Sequence, residues 1–363
     1  MILLGLLGLG LLSCTPGDSM LPFPREEQTG SGEAPAGRID PYYLVGTKAQ
    51  QENLTDLYAL LYGTVDPGEA QFSIIQEIAN EYAKEKEYGR LINFLSAWTH
   101  YHPEDPYTAY YLLMIAYAYI QEEAYEVASL YFSIIVNNYP DLIVRGESIH
   151  YIALNQLITL IKDQEQLVWY YEELISRFPD KIDTGVTNFM LAQAYEQIGE
   201  WDNAIKAYNK FLPYYGTIIP RFPDAYAYAK QLVDFYDSRK DWTFESLNSL
   251  VTAIKITLDS GNSARLWSYR AKVNFFAHSW GQDGEDNYGV NEFNIVEFMR
   301  GNRIYYSPEL DASSNANEAY LRTSGWFQGI TIWYFYFRKI YFPPDPEVHG
   351  RWEWAGVYFG EKF

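Results

Sequence analysis

The segment Asn188–Gly216 reads NFMLAQAYEQIGEWDNAIKAYNKFLPYYG. Its apolar residues recur every three or four positions on each side of Gly199, as they do in amphipathic helices that bury one face. Alanines stand where two such helices would cross closely, and tyrosines beside them are large enough to fill the remaining space. These residues are Ala192, Ala204, Tyr195 and Tyr208. The segment therefore predicts two packed helices, with Gly199 relieving the turn between them.

The positions of these residues match a known helical repeat. The segment resembles the tetratricopeptide repeat (TPR), a unit of two helices that stacks on its neighbours. The resemblance is carried by Leu191, Ala192, Tyr195, Gly199, Trp201, Ala204 and Tyr208. It implies a solenoid of helix pairs, in which the first helix of each pair, helix A, lines a groove.

Sliding the same register along the chain finds further copies. They comprise Ile78, Ala79, Tyr82, Tyr88, Leu95 and Pro103; Ile115, Ala116, Tyr119, Tyr125, Ala128, Phe132 and Pro140; and, more weakly, Leu154, Tyr171, Leu174 and Pro179. Successive copies are offset by 37, 39 and 37 residues, so each carries a few residues beyond the 34 of the TPR. We also expect a degenerate pair at 224–258 and a cap helix at 51–62. A helical bundle with coincidental spacing is the alternative.

One position of the repeat predicts a binding surface. In TPR proteins the ninth residue often points into the groove, and here that position mostly carries an amide or another polar group. The predicted groove residues are Asn80, Tyr117, Gln156, Gln193 and Asp234. Amides suit recognition of a peptide backbone because each amide both donates and accepts hydrogen bonds. The alternative is that these are ordinary exposed helix positions.

The chain has a single cysteine, Cys14, and it follows the apolar run 2–12. A run of this length is too short to span a bilayer and is typical of a secretory signal. The segment 1–14 resembles a bacterial lipoprotein signal with its lipobox, although no basic residue precedes Leu3. The resemblance implies that Cys14 is acylated and becomes the first residue of the mature chain. Residues 15–41, rich in Pro, Gly, Ser and Glu, predict a flexible tether.

Composition narrows the range of partners. The 363-residue chain has a formal net charge of -20, so nucleic acid is not expected as a partner, because binding to phosphates requires clustered Lys and Arg. Anionic lipid headgroups would also repel the chain, so acyl chains on Cys14 are the predicted membrane anchor. Residues 264–363 contain 25 of the 64 aromatic residues. This shift in composition predicts a domain boundary between a TPR-like domain at 42–263 and a β domain at 264–363.

The aromatic-rich part predicts a compact antiparallel β module. We expect extended segments at 266–275, 291–299, 303–306, 329–342 and 351–359, where apolar residues alternate with polar ones or β-branched and aromatic residues are dense. The fold class is therefore α+β and multidomain, with an all-α solenoid followed by the β module. Most of the aromatic residues are expected in a core. The sharper interpretation is that Trp326, Trp352 and Trp354 form an exposed platform for sugar rings or a partner's apolar patch.

Motifs for catalysis are not apparent. The close histidine pair His100 and His102, followed by Glu104 and Asp105, would need two further converging ligands to hold a metal. The acidic loop 283–287 lacks the spacing of an EF-hand. There is no nucleophile elbow, phosphate-binding loop or zinc-protease motif. The sequence leaves open whether two carboxylates from distant strands form a pair for glycoside hydrolysis. We expect no enzyme, no cofactor and no metal.

These features together resemble the TPR lipoproteins of bacteria with two membranes, including those of outer-membrane protein assembly and of periplasmic solute transport. The resemblance covers about residues 11–260 and implies a non-catalytic scaffold. We expect a lipid-anchored protein of the cell envelope, in the outer membrane and facing the periplasm, that binds envelope proteins or peptide segments. The alternative is a ligand- or glycan-binding lipoprotein that uses aromatic residues of the β module.

Overall fold

The computed structural model describes residues 39–64, 68–280, 293–326 and 329–362. The predicted signal segment, Cys14 and the tether up to residue 38 lie outside the described residues, and so does the acidic loop 283–287. The chain divides into two compact units, one reaching to Phe178 and one beginning at Pro179.

The first unit consists of helix pairs. After a short 3-10 turn at Pro41–Tyr43, its helices are α1 (Lys48–Gly63), α2 (Glu69–Lys84), α3 (Tyr88–Tyr101), α4 (Thr108–Gln121), α5 (Tyr125–Asn138), α6 (Ile149–Leu160) and α7 (Gln164–Arg177). The predicted cap helix is α1, and the three predicted pairs are α2 with α3, α4 with α5, and α6 with α7. Each pair packs together, and α3 packs on α4 as α5 packs on α6. Ala79, Ala116 and Ala128 are fully buried, as the repeat register predicts.

A small β-hairpin lies between α5 and α6. Its strands β1 (Ile143–Val144) and β2 (Glu147–Ser148) are antiparallel and are joined by Arg145 and Gly146. Both turn residues have positive φ, 53° and 85°, as in the two-residue type I′ hairpin turn. The Asp141 carboxylate fixes the hairpin base because it accepts hydrogen bonds from Ser148 Oγ (2.7 Å) and the His150 amide (3.0 Å).

The second unit begins with the segment that matches the repeat most closely. Its helices are α8 (Thr184–Gln197), α9 (Trp201–Phe211), α10 (Ala225–Asp237), α11 (Leu247–Asp259), α12 (Ser263–Ser268) and α13 (Ile295–Met299). Gly199 lies in the turn between α8 and α9 with φ of +78°, which confirms its predicted role. Helix α10 packs on α9, whereas α11 packs on α12 and on the last strand of the sheet.

The sheet of the second unit has five strands in the order β3-β7-β6-β5-β4. They are β3 (Phe276–Ser279), β4 (Tyr305–Tyr306), β5 (Glu318–Ser324), β6 (Ile332–Lys339) and β7 (Trp352–Phe359). Strands β4 to β7 pair antiparallel, and β3 pairs parallel with β7. The α+β class is confirmed. The purely antiparallel module is corrected to a mixed sheet with one parallel edge strand.

Two of the predicted strands are wrong. Residues 266–275 begin inside α12, whose start is stabilised because the Asn262 side chain accepts a hydrogen bond from the Arg265 amide at 3.0 Å. Residues 291–299 contain α13, where Asn294 accepts from the Val296 amide at 3.1 Å. In both places a local helix cap prevails over alternating hydrophobicity. Strands β3 and β5 were not predicted.

One core joins the sheet to the preceding helices. The buried cluster includes Leu250, Ile254 and Leu258 of α11 together with Phe335, Trp354 and Val357 of the sheet. Glu353 is 1% exposed and accepts hydrogen bonds from Trp242 Nε1 and Arg338 Nε, both at 2.7 Å. The predicted boundary at 263 therefore does not coincide with the edge of this core, because α11 supplies part of it.

Candidate functional site

Helices α2, α4 and α6 are the first helices of three consecutive pairs and form a surface that we call the helix-A face. Helices α2 and α4 are joined by stacked rings of Phe72 and Tyr107, with centroids 4.2 Å apart, and α4 packs on α6. Although the chain has 47 acidic residues, neither α4 nor α6 contains an Asp, Glu, Lys or Arg. The helix-A face is thus largely uncharged along two of its three helices.

Three of the predicted groove residues belong to this face. Tyr117 of α4 is 37% exposed, and its hydroxyl accepts a hydrogen bond from Gln156 Nε2 of α6 at 3.3 Å. Asn80 of α2 is half-buried. Burial raises the pKa of Tyr117, and the hydrogen bond from Gln156 acts in the opposite direction. The hydroxyl therefore stays protonated at neutral pH and is available as a donor.

A concavity of about 290 Å³ lies between α2, α3 and α4, next to Tyr117. Its lining is mainly apolar, with polar groups at Tyr117 and Gln121: Ala83, Tyr88, Leu91, Met114, Tyr117, Ala118 and Gln121. This volume is slightly below the range of about 300 to 1,000 Å³ for sites that enclose drug-sized molecules. It suits one or two side chains of a protein segment.

The other two predicted groove residues lie in the second unit and make internal contacts. Gln193 Nε2 donates to the Tyr208 hydroxyl and, at 3.4 Å, to Glu196. Asp234 accepts a hydrogen bond from Lys230 Nζ at 2.6 Å within α10. These two side chains are half-buried, and their polar groups are partly used by their own helices or neighbours.

The hairpin between α5 and α6 adds a residue that the repeat pattern does not indicate. Arg145 Nη2 donates to Gln76 Oε1 of α2 at 2.8 Å, and Gln76 Nε2 donates to the Tyr110 hydroxyl of α4. The guanidinium is thereby held at the helix-A face by a side chain 69 residues away in sequence. An Arg-Gly turn was visible in the sequence, but its long-range partner was not.

The buried His150 of α6 joins the end of α5 to the end of α7. His150 Nε2 lies 3.0 Å from the Tyr139 carbonyl oxygen, an acceptor, so Nε2 carries the proton. Nδ1 then accepts from Arg177 Nη2 at 2.6 Å. Burial lowers the pKa of His150, and the nearby Arg177 lowers it further, against smaller opposing effects of Asp141, the Tyr139 carbonyl and Glu173. The neutral ring is therefore part of the folded arrangement.

The predicted tryptophan platform is wrong. Trp326, Trp352 and Trp354 are only 3%, 8% and 0% exposed, because they pack in the core beneath the sheet. Trp267 and Trp280 are half-buried, and a cation lies over each ring: Arg270 at 4.0 Å and Lys362 at 5.1 Å from the ring centroids. Aromatic density here reflects packing.

The predicted histidine pair has structural contacts. His102 stacks on Trp98, with centroids 4.0 Å apart, and Asp105 accepts from Trp98 Nε1 at 2.9 Å. Within the described ranges, no three His, Cys, Asp or Glu side chains are grouped as metal ligands would be. Among the same residues, no helix has both the length and the apolar character required to cross a membrane.

Comparison with known families agrees with the helical hairpins. A family model for the tetratricopeptide repeat matches residues 187–215, the α8–α9 pair. No curated protein matches the chain. The match and the solenoid-like helix pairs together support a TPR protein. TPR repeats generally mediate protein–protein interactions, so the match supports a protein-interaction scaffold in general.

Proposed function

We propose that this protein is a lipid-anchored scaffold of the bacterial cell envelope that docks segments of partner proteins on its helix-A face. The observation that carries the docking surface is the combination of two uncharged helices, α4 and α6, with the half-exposed Tyr117 beside an apolar concavity. Tyrosine is among the residues enriched at the energetic centres of protein interfaces.

The anchoring part of the proposal rests on the sequence. The run before Cys14 resembles a lipoprotein signal. Because anionic lipid headgroups repel a chain with a net charge of -20, we propose that acyl chains on Cys14 attach the protein to the bilayer. We place the protein in the outer membrane, facing the periplasm. Metabolic labelling with a palmitate analogue tests this: label should appear in the native chain and be lost in Cys14→Ala. Equal labelling of both chains would contradict acylation at this residue.

Photo-crosslinking in intact cells tests the docking surface. A photoreactive amino acid at position 117 should give discrete crosslinked products with envelope proteins. The matched control is Leu130 of α5, which is 57% exposed and belongs to the second helix of the same pair. Products from position 130 but not from position 117 would place the docking surface elsewhere.

A further inference from the structure

The connection between α9 and α10 is long and apolar. It has 13 residues, 212–224, whereas 6 residues separate α3 from α4 and α7 from α8. We call it the α9–α10 loop. Its sequence, LPYYGTIIPRFPD, contains one cation, Arg221, and no acidic residue before Asp224. In a chain with 47 acidic residues, the loop is a nearly uncharged stretch.

The α9–α10 loop exposes large apolar side chains. Ile218 is 87% exposed, which is the highest value for a large apolar side chain in the part of the chain that the structure describes, and Tyr215 is 77% exposed. Tyr214 and Phe222 of the same loop are also exposed. Apolar groups gain free energy when they leave water. Several exposed apolar side chains in one short segment therefore indicate a surface that contacts a partner or a membrane.

The base of the loop is packed against α8. Ile219 is buried, and the ring of Phe222 packs edge-on against Phe189 of α8, with centroids 5.3 Å apart. The Phe222 amide donates to the Ile219 carbonyl oxygen at 3.0 Å. Gly185 of α8 permits the close approach, because a Cβ at this position would lie 2.6 Å from Thr217 Oγ1. The exposed side chains thus extend from a base that the fold holds in place.

A tight turn brings a cation next to the apolar side chains. Pro220 and Arg221 are the central residues of the turn from Ile219 to Phe222, and Arg221 has φ of 70° at a position where Gly or Asn is usual. Arg221 is exposed. Within residues 39–64, 68–280, 293–326 and 329–362, its guanidinium forms no ion pair. The guanidinium is therefore available to an anionic group beside the loop.

We infer that the α9–α10 loop inserts Tyr215 and Ile218 into the surface of a phospholipid bilayer. This inference rests on the proposed acylation of Cys14, which would hold the chain at that bilayer. Residues 15–38 separate Cys14 from the first described residue, and a coil of this length spans about 30 Å. The anchor would therefore keep the folded chain close to lipid, so that a small apolar contact adds to an attachment that already exists.

The residues of the loop fit the layers of a bilayer surface. A side chain that is 87% exposed protrudes, so Ile218 can enter an apolar layer without a matching groove. Tyrosine is enriched at the boundary between membrane and water because it has an apolar ring and a polar hydroxyl. An arginine can place its stem in the apolar layer and its guanidinium at the phosphates. Neutral phospholipids also carry phosphate, so this contact does not require the anionic lipids that would repel the chain.

Fluorescence quenching by lipid tests the insertion. Ile218→Cys carries an environment-sensitive fluorophore, since acylation blocks the thiol of Cys14, the only cysteine of the native chain. The acylated full-length chain is reconstituted into phosphatidylcholine vesicles with spin-labelled acyl chains. The matched control is Ile256→Cys on α11, because Ile256 is a 60% exposed isoleucine of the same unit. We expect about half or more of the fluorescence at position 218 to be quenched, because surface-bound apolar groups lie about 5 to 10 Å deep, and none at position 256.

A charge on the loop should remove the insertion. Tyr215→Asp in the chain labelled at position 218 places a carboxylate where the bilayer is apolar, which is unfavourable. Tyr215 is 77% exposed, so the substitution leaves the fold intact. The matched control is Tyr305→Asp on β4, which is 57% exposed. We expect quenching at position 218 to fall to the level of position 256 in Tyr215→Asp and to persist in Tyr305→Asp.

The outcomes separate the insertion from the acyl anchor. If the chain floats with the vesicles but position 218 is quenched no more than position 256, the insertion is overturned and the anchor stands. A signal at position 218 that changes with solubilised envelope proteins and not with lipid alone would assign the loop to a protein partner and also overturn it. If the chain does not float with the vesicles, the anchor fails, and the insertion fails with it.

Discussion

The helix-A face and the C-terminal sheet use aromatic residues and arginine in opposite ways. In the sheet, Arg338 pairs with the buried Glu353, and Trp354 is fully enclosed. On the helix-A face, Arg145 binds a neutral amide, and Tyr117 is half-exposed. The comparison shows that residue type does not identify a site in this protein. What distinguishes the helix-A face is that its polar side chains bond to one another as neutral amides and hydroxyls while Tyr117 stays partly exposed.

Trp354→Ala should cause the largest loss of stability. Truncation of a fully buried tryptophan costs about 4 kcal/mol through lost contacts and the cavity left behind. Urea unfolding followed by fluorescence measures the change. The control is Trp169→Ala, since Trp169 lies on α7 and is 39% exposed. A loss for Trp354→Ala no larger than for Trp169→Ala would mean that the sheet tryptophan is exposed after all.

Glu353→Ala should cause the second-largest loss of stability. Removing this carboxylate leaves Trp242 Nε1 and the partly exposed Arg338 without their acceptor, and losing hydrogen bonds to a charged group costs about 2 kcal/mol. The control is Glu361→Ala, whose ion pair with Arg322 is exposed and should contribute little. Equal midpoints of unfolding for the two variants would contradict a structural role for Glu353.

The first unit should lose stability in acid through His150. Its pKa is lowered from 6.5 in the folded chain, so the unfolded chain binds a proton first as pH falls. The stabilisation is complete above pH 6.5 and is lost as pH falls from there toward the folded pKa. We expect the drop in Tm between pH 7.5 and pH 5.5 to be smaller in His150→Gln. An unchanged drop would show that His150 does not titrate in this way.

The sequence predicts local structure better than it predicts contacts between residues that are far apart in the chain. The helix pairs and the turn at Gly199 follow from spacing and from small residues at crossings, which are local signals. The alternation of Ala319, Leu321 and Thr323 was also a usable signal for β5, with all three buried. The prediction of a strand at 266–275 was wrong because alternating hydrophobicity and the helix cap at Asn262 favour different structures there. Only the folded chain shows that the helix forms.

The candidate site was predicted in part. The ninth repeat position led to Tyr117 and Gln156, which the structure brings together by a hydrogen bond. The same rule gave Gln193, whose amide is engaged by Tyr208. Arg145 could not be found this way because its partner Gln76 is 69 residues away. Likewise, the burial of Trp326, Trp352 and Trp354 depends on the whole core rather than on their own strands.

Tyr117→Ala should have the smallest effect on folding, because the side chain is 37% exposed, and the largest effect on binding. The decisive measurement is the affinity of the partner segment crosslinked at position 117 for the native chain, for Tyr117→Ala and for Leu130→Ala. We expect Kd to rise about tenfold or more for Tyr117→Ala, as for an aromatic anchor, and to stay unchanged for Leu130→Ala. Equal affinities of all three chains would contradict docking on the helix-A face.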